Sequence, residues 1–403
     1  MKVKLLLLTM LVMIFLPAGS VFAAEAVQAP NPIEVPDIRI IMDGRLEQFE
    51  KVPVSVNNRT LLPFRELLVK LGVPNDDEHI IYNHAEKSVT VWYGQTKIYL
   101  RIGQNEAFVN DEPITLDVAP ILYKNSTYVP LRFLAESMGK KVVWDGASRA
   151  VLICDAEKYN NIKQIMDKSA KEMAKVKKYK LDMNVICNIE SDDFSGDIAI
   201  DSSMLVDMLN KKMNTNQLIN FLGMQMSTEI YFADNASYTL SSFQDNWSKK
   251  IYADTEYDEF FKTQSNVIEN EDILSDILLV GLNQVNSEND DEILFIGDVL
   301  SLDLIVKALS QQDLDYTRDI DEDITYDDFS MAISLNKTTY LINYISFSMK
   351  ILQHESENED GVTMSAKVEY SDYDGDFVIT VPEDVIENAV LIDDMGNGVL
   401  PAY

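Results

Sequence analysis

Two stretches of this chain repeat one another at a fixed spacing, and that self-similarity limits the possible folds more than composition does. Pro53, Thr60, Pro63, Arg65 and Gly72 recur as Pro120, Thr127, Pro130, Arg132 and Gly139, each 67 residues later. In both copies a threonine and two apolar residues precede a proline, which predicts an extended strand, because the proline ring keeps its predecessor out of the α region. Proline then suits the first turn of a helix, where its missing N–H would have had no partner. Leu67, Leu68 and Leu71, like Leu134, Ala135 and Met138, place an apolar stripe on one face of a short helix. Gly72 or Gly139 then supplies the left-handed residue that ends it.

A hairpin follows each glycine. Ile80 to Asn83 leads to Val89–Val91, and Val142 to Gly146 leads to Val151–Ile153, with Asp145-Gly146 expected as a two-residue turn. The offset here falls to 62 because the first copy carries an acidic insertion, Pro74 to Glu78, expected as a surface loop. Between the copies, Thr96 to Ile102 alternates as a strand, and Asn110-Asp111 makes a turn before Ile114 to Val118.

An Asp43-Gly44 hairpin, Asn-x-Thr-apolar-apolar-Pro-apolar-Arg, a helix, a glycine and a Tyr82 or Trp144 strand make a pattern that resembles the copper amine oxidase N-terminal domain-like family, over about Ile38 to Ile153. The resemblance implies a stalk module of exported bacterial proteins and imports no copper site. With His79, His84 and His354 as the full set of histidines, a transition-metal centre is not expected, since such centres want several imidazoles at one point. Arg65 and Arg132 are expected to tie each strand–helix corner to nearby carbonyls or an acid, rather than to clamp a ligand. Tyr82 and Trp144 are expected in core or cross-strand packing rather than in stacking against a carbohydrate.

Lys2 and Lys4, an apolar run from Leu5 to Leu16 and Val21-Phe22-Ala23 form a signal-peptide pattern with cleavage expected after Ala23. The apolar run is short of the ~20 residues of a membrane helix, and no cysteine near the cut can accept a lipid. The expectation is a protein exported from a Gram-positive-type bacterium, free or held non-covalently at the wall. Its formal net charge of -32 argues against nucleic acid as a partner and favours solubility outside the cell. Cys154 and Cys187 are the sole cysteines and the candidate pair for a disulfide.

The expected organisation is a signal peptide (1–23), a linker (24–36), the repeat-bearing module (37–155), a linker helix (156–178), a larger domain (179–389) and a tail (390–403). In the larger domain, strands are read at Tyr179 to Ile189, Gly196 to Val206, Gln225 to Ala233, Ala236 to Leu240 and Trp247 to Tyr252, then at Asp327 to Leu335, Thr339 to Leu352 and Thr363 to Tyr370. Helices are read at Glu269 to Asn283 and Leu300 to Gln312. The fold class is α+β: two strand–helix–hairpin units, then a curved antiparallel sheet with helices on one face. Ala236-Ser237-Tyr238, Asn246-Trp247, the strand Thr339 to Met349 and the closing Val381 to Ala389 are similar to the lipoprotein-carrier (LolA/LppX-like) half-barrel group, which implies an apolar cavity for an acyl chain. Met204, Met208, Met224 and Met226 are candidates for its lining, against the ordinary alternative of a methionine-filled core.

The acidic run Asp372 to Asp376 lacks the closing glutamate of a calcium loop and is read as a surface turn. No Gly-x-Ser-x-Gly elbow and no glycine-rich phosphate loop occur, so no catalytic residue, metal or cofactor is assigned. The leading expectation is a non-catalytic envelope protein that binds a cell-wall component or another envelope protein. A soluble extracytoplasmic carrier of a lipid or other apolar ligand is the alternative, and a wall-polymer hydrolase stands third.

Overall fold

The structure is a computed structural model that describes residues 31–146, 149–190, 195–269, 276–298, 324–353 and 360–392. The signal peptide, the helix at Leu300 to Gln312, His354 and the acidic clusters at 192–193 and 319–323 lie outside the described residues.

Three small sheets build the N-terminal part. At the centre of the first, β5 (Arg59–Pro63) and β12 (Ser126–Pro130) pair antiparallel with Leu62 opposite Val129. They are flanked by β4 (Val54–Val56) and β1 (Ile33–Glu34) on one side and by β11 (Ile121–Tyr123) on the other. The second is a meander of β6 (Ile80–Asn83), β7 (Ser88–Tyr93), β8 (Thr96–Arg101), β9 (Glu106–Val109) and β10 (Glu112–Thr115). In the third, β13 (Lys140–Asp145) and β14 (Ala150–Asp155) form a hairpin, and β14 lies parallel to β2 (Arg39–Met42), which turns back as β3 (Arg45–Glu47).

β5 and β12 each run directly into a seven-residue helix, α1 (Phe64–Lys70) and α2 (Leu131–Ser137). Pro63 and Pro130 end the strands with ψ of 119° and 115°, so each helix starts one residue later than expected. Both prolines still sit in the strand register, Pro63 against Tyr128 and Pro130 against Leu61. Gly72 and Gly139 take φ of +93° and +75°. At the first, Gly72 donates to the Val69 carbonyl (3.0 Å) and Val73 to the Leu68 carbonyl (2.9 Å), a complete Schellman closure. The Asp145-Gly146 pair is not a two-residue turn. Asp145 pairs with Ala150, and the four-residue connection ends on Arg149 at φ +52°, as the first hairpin ends on Lys87 at φ +52°. True two-residue turns with both φ positive occur at Asp43-Gly44, Asn57-Asn58, Asn110-Asp111 and Lys124-Asn125.

The rest of the chain forms one curved sheet of twelve strands. From its first edge run β21 (Leu282–Val285), β22 (Glu292–Asp298), β23 (Ile324–Asn336), β24 (Ile342–Gln353) and β25 (Asp360–Ser371). β15 (Lys178–Glu190), β16 (Ser195–Asp207), β17 (Lys212–Phe221), β18 (Met224–Ala233), β19 (Ala236–Ser241), β20 (Ser248–Ile251) and β26 (Val390–Leu391) continue it. All neighbours are antiparallel except β20 and β26. β17 was not foreseen, because Asn214, Asn216, Gln217 and Asn220 dilute its strand signal. The helix expected at 269–283 is instead α4 (Asp254–Glu269) and α5 (Asp276–Gly281), with Leu282 already in β21.

Three segments expected as connections are structural. Ile33 and Glu34 of the 24–36 linker pair with β4, and Val390 and Leu391 of the tail pair with β20. The linker helix is α3 (Ala156–Met173), whose start is capped by the Asp155 carboxylate accepting from the Lys158 N–H. Its Tyr159 and Ile162 are buried in a cluster that also holds Ile41, Leu152 and Cys154 of the first part and Leu279, Phe295 and Ile333 of the second. The two parts therefore share a core. A short helix, α6 (Glu383–Asn388), packs Val385 against Ala236 and Tyr238 at the far end of the sheet.

Candidate functional site

The register of the twelve-stranded sheet sorts its side chains into two faces with opposite chemistry. On one face, Tyr179, Val206, Met213 and Phe232 form a row across β15 to β18. Tyr257 and Phe261 of α4 pack against that row, and the Phe232 and Phe260 rings stack at 4.8 Å. Nearer the first edge, α3 and α5 cover Phe295, Ile333 and Met349 of the same face.

Two rows further along the strands the chemistry changes to a polar band, Ser202, Gln217 and Thr228, which are register partners across β16 to β18. Beyond it the face is apolar again. Val185, Ile200, Ile219 and Met226 are aligned, followed by Cys187, Ile198, Phe221 and Met224. None of these eight belongs to a hydrophobic core cluster among the described residues, and all are at least partly exposed. Ala366 and Phe347 continue the Val185 row toward the covered edge.

This placement divides the methionine candidates. Met204 and Met208 pack with the α4 cluster and serve the core. Met226 lies in the partly exposed apolar row, and Met224 is exposed at the start of β18.

The opposite face is polar. A groove of about 810 Å³ crosses β25 and β15 to β19, lined by Asp182, Asn184, Asp201, Asn216, Glu229 and Lys367 among others. Most of its polar groups are already paired. Asn184 donates to Asp201 (2.8 Å), Lys367 reaches Glu369 (2.7 Å), and Tyr231 donates to Glu229 (2.7 Å). Asp374, in the turn at 372–376, accepts from the backbone of Lys177 and Lys178 and so fixes the start of β15.

The candidate disulfide pair is not bonded. Cys154 and Cys187 are free and stand in different sheets, Cys154 enclosed in the shared core at 1% exposure and Cys187 on the partly exposed apolar rows. Burial pushes the Cys154 thiol up to about 12. Among the described residues no group of three or more His, Cys, Asp and Glu could hold a metal ion.

The repeat residues lie in twin grooves about the β5–β12 pair. Pro63, Arg65 and Tyr82 of the first copy line one with Thr127 of the second; Pro130, Arg132 and Trp144 of the second line the other with Thr60 of the first. Arg65 donates to the Asn75 side-chain carbonyl (2.8 Å) in the insertion loop, and Arg132 stands 3.9 Å from Glu136 one turn along α2. Tyr82 packs against the core of the first part, whereas Trp144 is 47% exposed and belongs to no core cluster.

Residues 41–153 match the copper amine oxidase N-terminal domain, and residues 161–390 match a family of unknown function, DUF6612. The chain belongs to DUF6612. Solved structures similar to the chain include LprF from Mycobacterium bovis, 11% identical over 56% of this chain and 97% of that one, with a TM-score of 0.30. The Mycobacterium tuberculosis lipoprotein LppX is 10% identical over 55% and 99%, with a TM-score of 0.30. A putative outer membrane lipoprotein-sorting protein domain from Vibrio parahaemolyticus is 9% identical over 56% and 96%, with a TM-score of 0.18. No curated protein matches the chain.

Proposed function

We propose that this DUF6612 protein is a non-catalytic, extracytoplasmic binder of an amphiphile with an acyl chain, held on the partly exposed apolar rows of the twelve-stranded sheet. The carrying observation is the aligned, partly exposed rows Val185–Ile200–Ile219–Met226 and Cys187–Ile198 beside the polar band Ser202–Gln217–Thr228, outside every core cluster among the described residues. Contiguous apolar side chains that pack into no core mark a binding surface. The apolar rows offer hydrogen-bonding ligands little, which selects against a wholly polar ligand. The adjacent hydroxyls and amide of the band suit the polar end of the same molecule. Four strands at about 4.8 Å spacing give roughly 15–20 Å across the rows, the length scale of an extended acyl chain. The Lys2–Lys4, Leu5–Leu16 and Ala23 pattern supports the extracytoplasmic location.

Titration of the full chain with a fluorescent fatty acid tests this reading. Saturable binding that falls at least about tenfold in Ile200→Asp and in Ile219→Asp, with the fold intact, supports it. Equal binding by both variants and the wild type overturns it.

A further inference from the structure

The twin grooves of the N-terminal part have diverged in charge. The first is lined by Arg65, Lys51 and Lys70 together with Glu50 and Glu66. The charged residues lining the second are all arginines, Arg59, Arg132 and Arg149, around Trp144 in a volume of about 520 Å³. This concentration of guanidinium groups occurs on a chain with 66 acidic and 34 basic residues, where chance favours acids. Core packing does not account for the tryptophan among them: Trp144 is 47% exposed and outside every core cluster among the described residues.

We propose that the Trp144 groove is a binding site for an acidic saccharide. The exposed indole offers a flat apolar face for the C–H side of a sugar ring, and arginine forks match carboxylate or phosphate oxygens. Ser55, Asn58 and Thr60 line the same groove and supply partners for ring hydroxyls. Each guanidinium already meets one carboxylate outside that lining: Arg59 with Asp117 (2.7 Å), Arg149 with Asp37 (2.7 Å) and Arg132 with Glu136 (3.9 Å). All six side chains are more than half exposed, and exposed pairs of this kind contribute little net stability, so a ligand anion replaces them at small cost. Each pair also occupies only part of a five-donor fork. A dense polyanion such as nucleic acid is disfavoured by the chain's overall charge. The site lies in the other half of the fold from the apolar rows, so it stands or falls independently of the amphiphile reading.

The test is calorimetric titration of the full chain with trigalacturonic acid, maltotriose carrying a terminal phosphate, and neutral maltotriose. Either acidic probe should bind at least about tenfold more tightly than maltotriose, and the stronger of the two identifies whether carboxylate or phosphate is the preferred anion. Trp144→Ala and Arg132→Gln should each weaken that binding about tenfold or more, while Trp144→Tyr should retain it. Arg65→Gln, the equivalent change in the first groove, should leave it unaltered. Unfolding midpoints equal to the wild type confirm that the variants fold. Absence of binding by both acidic probes, or equal binding by Trp144→Ala and the wild type, overturns the proposal.

Discussion

Val185 of β15 and Ile200 of β16 are register partners on the same face as Tyr179 and Val206, yet the second pair is locked under α4 and the first belongs to no core cluster among the described residues. One face of one sheet thus carries core at one end and partly exposed apolar rows at the other. Ile200→Asp should accordingly cost stability only roughly 1 kcal/mol or less, because the side chain is partly exposed. Val206→Asp, three rows along at 2% exposure, should cost several-fold more. Chemical denaturation of the two variants checks the contrast.

The two thiols should report on the two environments. Cys187 is partly exposed and should react with a maleimide in the native protein, whereas buried Cys154 should react only on unfolding. Saturating oleate should slow the labelling of Cys187 and leave Cys154 unchanged, as read by mass spectrometry of the labelled peptides.

Alkaline pH should destabilise the fold. Burial raises the Cys154 thiol to about 12, against roughly 8.5 in an unfolded chain. Below the unfolded value both states hold the proton and the contribution is fully present. As pH rises from there toward the folded value, the unfolded chain releases its proton first, and stability is lost. Burial likewise raises the phenols of Tyr179, Tyr257 and Tyr373, which adds to the loss above pH ~10. Urea midpoints at pH 8 and pH 10.5 should differ in that direction, and Cys154→Val should reduce the difference.

The shared core predicts that the two parts unfold together. Leu152→Ala removes a fully buried side chain from the cluster that joins Ile41 to Leu279 and Phe295, and should cost about 2–5 kcal/mol. It should lower a single melting transition rather than split it. Gly72→Ala should cost only about 1 kcal/mol, since a Cβ there meets nothing within 4 Å and the strain lies in φ +93°.

Much of this architecture was legible in residue patterns. Proline, threonine and glycine at matched spacing located both strand–helix corners, because each acts through its own backbone restriction. The alternation in β15, β16, β18 and β24 gave strands within a few residues. β17 was hidden because its asparagines and glutamine weaken the strand signal, although its Ile219 and Phe221 complete the apolar rows. The candidate site was legible only in part. Sequence marked methionines, but Met204 and Met208 belong to the core, and the decisive residues Val185, Ile200 and Ile219 carry no special signal until register aligns them. Trp144 was expected in packing because a tryptophan in a strand usually is; its exposure depends on the third sheet's edge, which no local pattern encodes.

The most direct test of the central claim is native mass spectrometry of the protein purified from its own host, followed by organic extraction. The account predicts a stoichiometric acyl-chain adduct that is lost in Ile200→Asp while the folded apo protein remains. A clean apo mass for the wild type, together with no uptake of added fatty acid, would contradict it.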